Sequence, residues 1–147
     1  MGYDAGKLVK GRKLHLLVDT LGLPIALLVH SAGVQDRDGA IRLFAAFGAR
    51  LPALDVVYAD AGYDAGKTRS ALRDAGAELT IVRRRLPRGS GFEVLPKRWV
   101  VERTFAWIGR NRRLAKTWDA LVSTMTAFAT LAAIQLGIRR LARNHAF

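Results

Sequence analysis

Two apolar runs near the start of the chain constrain its fold more than any other feature. The first is KLHLLVD at residues 13–19, the second is PIALLVH at residues 24–30, and Thr-Leu-Gly-Leu separates them. Gly22 in this short connection is able to adopt the positive φ that many tight turns require. The pattern therefore predicts two antiparallel strands joined as a hairpin.

Downstream of this hairpin, the chain alternates between helical and strand patterns. The predicted elements are helices at residues 40–47 and 67–75, strands at 54–59 and 79–82, and two longer C-terminal helices at 96–116 and 119–143. Alternation of this kind is typical of an α/β fold, and the sheet is expected to be mixed because its first two strands form a hairpin. With 147 residues, the chain has the size of a single domain, residues 1–147.

Basic residues are in large excess: 24 Lys and Arg stand against 12 Asp and Glu, giving a net charge of +12. Such an excess favours a polyanionic partner, nucleic acid first and an anionic membrane second. A generally basic, solvated surface is the alternative. The absence of cysteine excludes disulfides and thiolate metal sites and is compatible with a reducing cytoplasm, where we expect the protein to act.

One stretch, residues 121–138, contains no charged side chain and is at the lower limit of length for a membrane span. Many of its residues are Ala, Ser, Thr or Gln, so its mean apolarity is modest. We therefore predict a buried core helix, with Arg139, Arg140 and Arg143 forming a solvated last turn. A membrane-associated protein is the alternative.

The segment ADAGYDAG at residues 59–66 places an acid directly after an apolar run. In open α/β sheets, ligands bind beyond the carboxyl ends of the strands, and Asp60 falls at such an end. Gly62 leaves space beside this carboxylate. Because Asp close to Gly is also common in ordinary turns, turn chemistry is the favoured interpretation of this segment alone, and a metal ligand is the alternative.

A second acid, Glu102, is the only acid in LPKRWVVERTFAWIGRNRRLAK, residues 95–116. It could pair with Arg98 and Arg103, as many helix acids do. Alternatively, a carboxylate among basic residues suits metal-dependent phosphoryl transfer on DNA, since carboxylates hold Mg²⁺ and basic side chains bind phosphates. The candidate DNA contacts are Lys97, Arg98, Arg103, Arg110, Arg112 and Arg113. The core side of this helix is predicted to hold Val100, Val101, Thr104 and Ile108.

Aromatic and histidine side chains give weaker signals. Trp99, Phe105 and Trp107 could stack on unpaired bases, but we predict that at least two of the three pack in the core. The three histidines, His15, His30 and His145, form no metal-ligand constellation. His15 and His30 lie in the two hairpin strands and are expected to be half-buried.

Three segments resemble the DDE-type transposases of bacterial insertion sequences, in the related groups numbered four and five. They are GRKLHLLVDTLGLPIALLVHSAGVQDRDGA at residues 11–40, YADAGYD at residues 58–64, and the helix at residues 95–116. The last is the most specific, because Arg98 and Glu102 have the spacing of the family's arginine and glutamate. The resemblance covers nearly the whole chain. It implies an RNase-H-like fold, strand cleavage and joining at transposon ends in double-stranded DNA, and Mg²⁺ or Mn²⁺ as the cofactor.

By this resemblance, Asp60 matches the second acid of the family's catalytic triad and Glu102 matches the third. The first acid lies, in the family, on a central strand upstream of the GRK segment, and no such strand is expected here. Asp4 lies in a glycine-rich segment, Asp19 falls in the hairpin turn, and Asp36 is better interpreted as a loop or helix-start residue.

Loss of the central strand has consequences for fold and activity. The strands at residues 13–19 and 54–59 lose the neighbour that should lie between them, so the sheet must close directly, expose edges or borrow a strand. We expect a transposase fragment or downstream reading frame that cannot complete transposition alone, with a second copy or an upstream-frame product as partner. A non-catalytic basic DNA-binding remnant or transposition inhibitor is the alternative.

Overall fold

Strands and helices alternate along the chain in the computed structural model, which describes residues 2–6, 8–51, 54–83, 97–116 and 121–144. The strands are β1 (Gly2–Asp4), β2 (Val9–Val18), β3 (Pro24–Ser31), β4 (Val56–Ala59) and β5 (Glu78–Ile81). The helices are α1 (Asp36–Phe47), α2 (Gly66–Asp74), α3 (Arg98–Gly109), α4 (Arg112–Ala115) and α5 (Val122–Asn144). The predicted α/β class is confirmed.

The described strands form two separate sheets. β1, β2 and β3 lie side by side in that order and are antiparallel, while β4 and β5 form a parallel pair. The predicted hairpin is confirmed, with Leu14 opposite Val29 and Leu16 opposite Leu27, and Gly22 in its turn has a φ of 86°. The expected single mixed sheet is not observed, because no described strand pairs β2 or β3 with β4 or β5.

Within the described residues, β2 has an unpaired edge over most of its length. β1 pairs only with residues 9–11, so no described strand borders residues 12–18 on that side. β4 likewise pairs on one side only, with β5. Exposed edges are therefore the outcome for this sheet. β1, which contains Asp4, was not predicted from the sequence, because three residues carry no periodicity and β1 is defined only by its pairing with β2.

A shared hydrophobic core joins the two sheets, although no described strand of one sheet pairs with a strand of the other. Its buried members come from both sheets and both neighbouring helices: Ala26 of β3, Leu43 and Phe44 of α1, Leu72 of α2, and Leu79 of β5. Leu17 of β2 and Val57 of β4 pack against this cluster. Burial of apolar side chains, which needs no backbone pairing, thus holds β4 and β5 to the hairpin in the described chain.

α1 packs closely on two buried histidines. His15 of β2 and His30 of β3 are 6% and 7% exposed, and their stacked rings have centroids 4.6 Å apart. A Cβ atom added to Gly39 of α1 would lie 2.1 Å from Nε2 of His15 and 2.6 Å from Nε2 of His30. Only glycine permits this approach of the helix. The two imidazoles are more deeply buried than the half-buried state that we predicted.

α3 docks on the hairpin turn through its buried face. Val100, Thr104 and Ile108 are 9%, 0% and 4% exposed, in agreement with the predicted core side, whereas Val101 is only partly buried. The Thr104 hydroxyl donates a hydrogen bond of 2.8 Å to the carbonyl oxygen of Gly22. This bond fixes the middle of α3 beside the turn of the hairpin.

The single helix predicted over residues 96–116 is divided into α3 and α4. Asn111 lies between them with extended backbone dihedrals, and its side-chain amide donates to the carbonyl oxygen of Ile108 at 3.0 Å. A side chain that bonds to the preceding backbone in this way competes with continuation of the helix. Gly109, the last residue of α3, further weakens the helix at this point.

α5 buries only one face, so the buried core helix predicted for residues 121–138 is observed in part. Ala129 and Ala132 are 0% and 6% exposed, whereas Leu131 and Ile138 are each 60% exposed. Small residues on the buried face allow the helix to pack against β3, and four large aliphatic residues face outward: Leu131, Ile134, Ile138 and Leu141. Within the residues that the structure describes, no helix is both long and apolar enough to span a membrane.

Candidate active site

Asp60 lies where the sequence places it, immediately after β4 and exposed to solvent. Its Oδ1 accepts a hydrogen bond of 2.9 Å from the backbone N–H of Gly62 and so caps the short 3₁₀ turn Ala61–Tyr63. This bond is the turn chemistry considered from the sequence. The bond occupies one carboxylate oxygen and orients Asp60, and Oδ2 has no hydrogen-bond partner in the described residues.

Asp36, at the start of α1, borders the same space as Asp60. A Cβ atom on Gly62 would lie 3.1 Å from Oδ1 of Asp60 and 3.9 Å from Oδ2 of Asp36. We interpreted Asp36 from the sequence as a loop or helix-start residue, and it is indeed the first residue of α1. Its proximity to Asp60 was missed because the two acids are distant in sequence and meet only when α1 packs beside the turn after β4.

Lys13 of β2 connects Asp36 to β1. Its ammonium group lies 3.0 Å from Oδ1 of Asp36 and 3.1 Å from Oδ2 of Asp4, and it donates a hydrogen bond of 3.0 Å to the carbonyl oxygen of Val34. Burial lowers the pKa of Lys13, but the bonds to Asp36 and Asp4 outweigh this effect, and its pKa is raised above the usual value. Lys13 therefore stays charged and offsets two carboxylates at this end of the molecule.

The acid of the hairpin turn is engaged by the turn itself through one of its carboxylate oxygens. Oδ1 of Asp19 accepts hydrogen bonds from the backbone N–H groups of Leu21 and Leu23 at 2.8 and 2.7 Å. A carboxylate that closes a turn in this way is typical of Asp before a tight connection. The assignment of Asp19 to the turn is therefore supported by its contacts.

Glu102 lies on the exposed face of α3, opposite the buried face that docks on the hairpin. The start of α3 is tied to β4, because the ammonium group of Lys97 lies 3.8 Å from the centre of the Tyr58 ring. Tyr58 precedes Asp60 by two residues. This contact brings the beginning of the Glu102 helix to the end of the Asp60 strand.

No group of three or more acids and histidines in the described part of the chain is arranged to hold a metal ion. The structure therefore brings Asp60 together with Asp36 and places the start of α3 nearby, but it does not assemble Asp60 and Glu102 into such a group. The oxygen ligands themselves are of the kind that Mg²⁺ and Mn²⁺ prefer.

Tyr63 links this region to the buried histidines. Its hydroxyl lies 3.3 Å from Nδ1 of His15. Burial, followed by the negative charges of Asp36 and Asp60, raises the pKa of Tyr63 well above its usual value. Tyr63 is therefore a neutral hydroxyl at neutral pH. No role was predicted for Tyr63 from the sequence, although it lies only three residues after Asp60.

The predicted DNA contacts have different surroundings. Arg110 and Arg112 are exposed, as is Arg113, whose guanidinium lies 5.0 Å from the centre of the Phe128 ring. Arg103 is instead packed between Trp99 and Trp107, 4.2 and 4.7 Å from the ring centres, and donates to the carbonyl oxygen of Leu21 at 2.9 Å. The side chain of Arg98 lies outside the described residues.

The aromatic residues of α3 are not core residues. Trp99 and Phe105 are 47% and 38% exposed, and Trp107 is partly buried. The prediction that at least two of the three pack in the core was wrong, because the core side of the helix is filled by Val100, Thr104 and Ile108. Trp99 and Trp107 stack on Arg103 instead.

A strongly basic α/β chain with an exposed acid at a strand end and another on an adjoining helix has the features of a domain that acts on nucleic acid. Comparison with known proteins gives the family. The chain matches the model described as "Transposase DDE domain" over residues 1–136, and it belongs to this family of insertion-sequence transposases.

A curated relative supports the assignment. The chain is 39% identical over 128 residues to a Burkholderia cepacia protein named "Putative transposase for insertion sequence element IS402". The alignment covers 82% of the chain and 60% of the relative, so the chain spans about 60% of the length of the protein that it matches. No solved structure matches the chain.

Proposed function

We propose that the chain provides part of the catalytic domain of a DNA transposase, which cleaves and joins DNA strands by metal-dependent phosphoryl transfer. One observation carries the proposal: Asp60 is exposed at the carboxyl end of β4, with one oxygen oriented by the N–H of Gly62 and the other unbonded within the described residues. Acids held in this way at strand ends suit the binding of a catalytic ion.

Asp60 and Glu102 are the residues that would hold a divalent ion. Transposases of this family generally use divalent metal ions. The carboxylate oxygens of Asp60 and Glu102 are hard ligands, which hard cations such as Mg²⁺ and Mn²⁺ prefer. When bound, such an ion activates the attacking oxygen and stabilises the leaving oxygen of the phosphodiester. Asp60 would hold its free oxygen toward the ion, while the Lys97–Tyr58 contact keeps the Glu102 helix beside β4.

The sheet arrangement supports an RNase-H-like fold with an additional strand. In the part of the chain that the structure describes, residues 12–18 of β2 and one edge of β4 have no neighbouring strand. A strand between these edges would join the two sheets into one mixed sheet. We propose that such a strand, carrying the first acid of the triad, belongs to the complete transposase domain of which residues 1–147 are a part.

DNA is the proposed partner, and the exposed arginines after α3 are its proposed contacts. Arg110, Arg112 and Arg113 form a basic surface at the junction of α3 and α4. Arg103 is a poorer candidate, since its guanidinium is already engaged by two indole rings and a backbone carbonyl. In this proposal, Arg103 secures α3 to the hairpin turn, and the exposed arginines neutralise phosphates.

Binding to duplex DNA is expected to weaken steeply with salt, because neutralised phosphates release their counterions. The slope of log K against log salt concentration should fall by roughly 2 when Arg112 and Arg113 are both replaced by Gln, at about 0.9 per phosphate contact. Fluorescence anisotropy with a labelled duplex measures this slope. Replacement of Arg42 and Arg50, which are exposed on another part of the chain, provides the control. Equal slopes for the two double variants would contradict the assigned surface.

Mn²⁺ binding is expected to depend on Asp60. Replacement of Asp60 by Asn removes the charge of a proposed ligand and should weaken Mn²⁺ binding about tenfold or more, as measured by electron paramagnetic resonance of the free ion. Asp74→Asn, at an exposed acid at the end of α2, is the matched control and should leave binding unchanged. Equal Mn²⁺ affinity of the Asp60→Asn variant and the parent chain would argue against the metal site.

The same variants separate a catalytic part from a non-catalytic DNA-binding remnant. A remnant or inhibitor binds DNA with the same salt dependence but is indifferent to Mn²⁺ and to Asp60→Asn. We further propose that residues 1–147 alone do not complete cleavage and joining of transposon-end DNA. Robust strand transfer by the isolated chain, abolished by Asp60→Ala, would refute this part of the proposal.

A further inference from the structure

α5 presents a straight row of large aliphatic side chains to solvent. Leu131, Ile134, Ile138 and Leu141 are 60%, 52%, 60% and 61% exposed. They follow one another at intervals of three, four and three residues, which is the spacing of the apolar seam in a coiled coil. We call these four residues the α5 seam. The opposite face of the helix is already used, since Ala129 and Ala132 are buried against the body of the molecule.

A groove lies beside the first residue of the seam. It has a volume of about 340 Å³ and runs between α4 and α5. Its apolar lining comes from Leu114, Phe128, Leu131 and Ala132, and its polar lining from Asn111, Arg112, Arg113 and Gln135. The seam therefore adjoins, at Leu131, a hollow with a partly apolar lining that could receive a side chain from a facing helix.

We propose that the α5 seam binds the α5 seam of a second copy of the chain, with the two helices antiparallel. In this arrangement Ile134 of one copy faces Ile138 of the other, and Leu131 faces Leu141, which enters the groove. A narrow stripe at heptad spacing suits a facing helix better than a lipid surface, which favours a broad apolar face with bulky aromatic residues.

The distribution of charge supports a second copy as the occupant. Each copy has a net charge of +12, so association of two copies is favoured where the centre of the contact surface lacks positive charge. Arg112 and Arg113 line the groove at the edge of this surface. The positions that flank the seam on α5 are uncharged: Thr130, Gln135, Gly137 and Ala142. In the antiparallel arrangement, Arg143 of each copy lies beyond one end of the seam, so the two Arg143 side chains are at opposite ends of the interface.

The area of the seam sets the strength of the association. Four aliphatic side chains that are more than half exposed present on the order of 400 Å² per copy, a patch size that usually marks an interaction site. A standard stable interface buries about 800 Å² per partner. The seam is smaller, and we therefore expect a dimer with a dissociation constant in the micromolar range.

Sedimentation velocity across the micromolar concentration range tests the proposal. The parent chain should pass from monomer to dimer, and Ile134→Glu or Ile138→Glu should each raise the dissociation constant about tenfold or more, because a charge would be buried at the centre of the interface. Ser123→Glu adds the same charge at an exposed position on the same helix, away from the seam, and should not change the dissociation constant. Circular dichroism establishes that each variant is folded.

Several outcomes would overturn the proposal. One is a parent chain that stays monomeric at every concentration, and another is seam variants that dimerise as the parent does. A monomer that binds vesicles of anionic phospholipid, with binding lost in Ile138→Glu, would identify a membrane surface as the occupant. Seam variants that lower the unfolding temperature without changing the mass of the particle would assign the seam a role within one chain.

Cysteine cross-linking tests the direction of the helices. The chain contains no cysteine, so Ile134→Cys and Ile138→Cys each introduce a single thiol. In an equimolar mixture, the antiparallel arrangement predicts disulfides mainly between the two different variants. Cross-links mainly between identical variants would refute the antiparallel arrangement.

Discussion

Replacement of Gly39 by alanine is expected to reduce the free energy of unfolding by about 3 kcal/mol, near the upper end of the usual cost of overpacking a core. The added methyl group would lie 2.1 Å from Nε2 of His15 and 2.6 Å from Nε2 of His30. Neither ring can move aside easily, since they stack on each other and each is less than 8% exposed. α1 would have to move away from the sheet, taking Leu43 and Phe44 with it.

Denaturant titration followed by circular dichroism measures this change. Gly137→Ala is the matched control, because a Cβ atom at this position in α5 meets nothing within 4 Å. Alanine there should increase stability by about 0.5–1 kcal/mol through its better helix propensity. If Gly39→Ala also stabilised the chain, the close packing of α1 on the two imidazoles would be disproved.

Acidification is expected to remove about 3 kcal/mol of stability between pH 6.5 and pH 4 through His15 alone. Burial first, and then the neighbouring His30, lower the pKa of His15 from 6.5 to about 4. The unfolded chain therefore binds a proton on this imidazole at a pH where the folded chain does not. The contribution is complete above pH 6.5, and it is lost as the pH falls toward the folded pKa.

The free energy of unfolding measured in urea at a series of pH values between 4 and 7.5 tests this expectation. His15→Asn removes the titrating group and keeps an acceptor near the Tyr63 hydroxyl, so its stability should vary much less in this range. The carboxyl of Asp64 titrates lower, since its hydrogen bond with Arg69 and the nearby Arg83 hold its pKa below the usual value. An unchanged slope in the variant would show that His15 is not the cause.

Features set by local sequence were predicted well. The β2–β3 hairpin follows from two apolar runs around Gly22, and the buried side of α3 follows from helical spacing of Val100, Thr104 and Ile108. The position of Asp60 after β4 also required only the order of elements along the chain. In each case, the feature is determined by residues that lie close to it in the sequence.

Features set by distant partners were not predicted. β1 is recognisable only from its pairing with β2, and the exposed aliphatic row of α5 depends on which face of that helix packs against β3. The same holds for the site. Packing between elements places Asp36 beside Asp60 and in an ion pair with Lys13. The indole rings of α3 contact the guanidinium of Arg103 and do not pack in the core.

The bare edge of β2 also affects how the chain behaves while it folds. An unpaired strand offers a row of backbone donors and acceptors to any other extended chain, and natural proteins limit this hazard with charges along the edge. In β2, the charges are concentrated at its beginning, Lys10, Arg12 and Lys13, whereas residues 14–18 carry only His15 among apolar neighbours. We therefore expect this second half of β2 to be the part of the strand from which aggregation begins when the core is not yet formed.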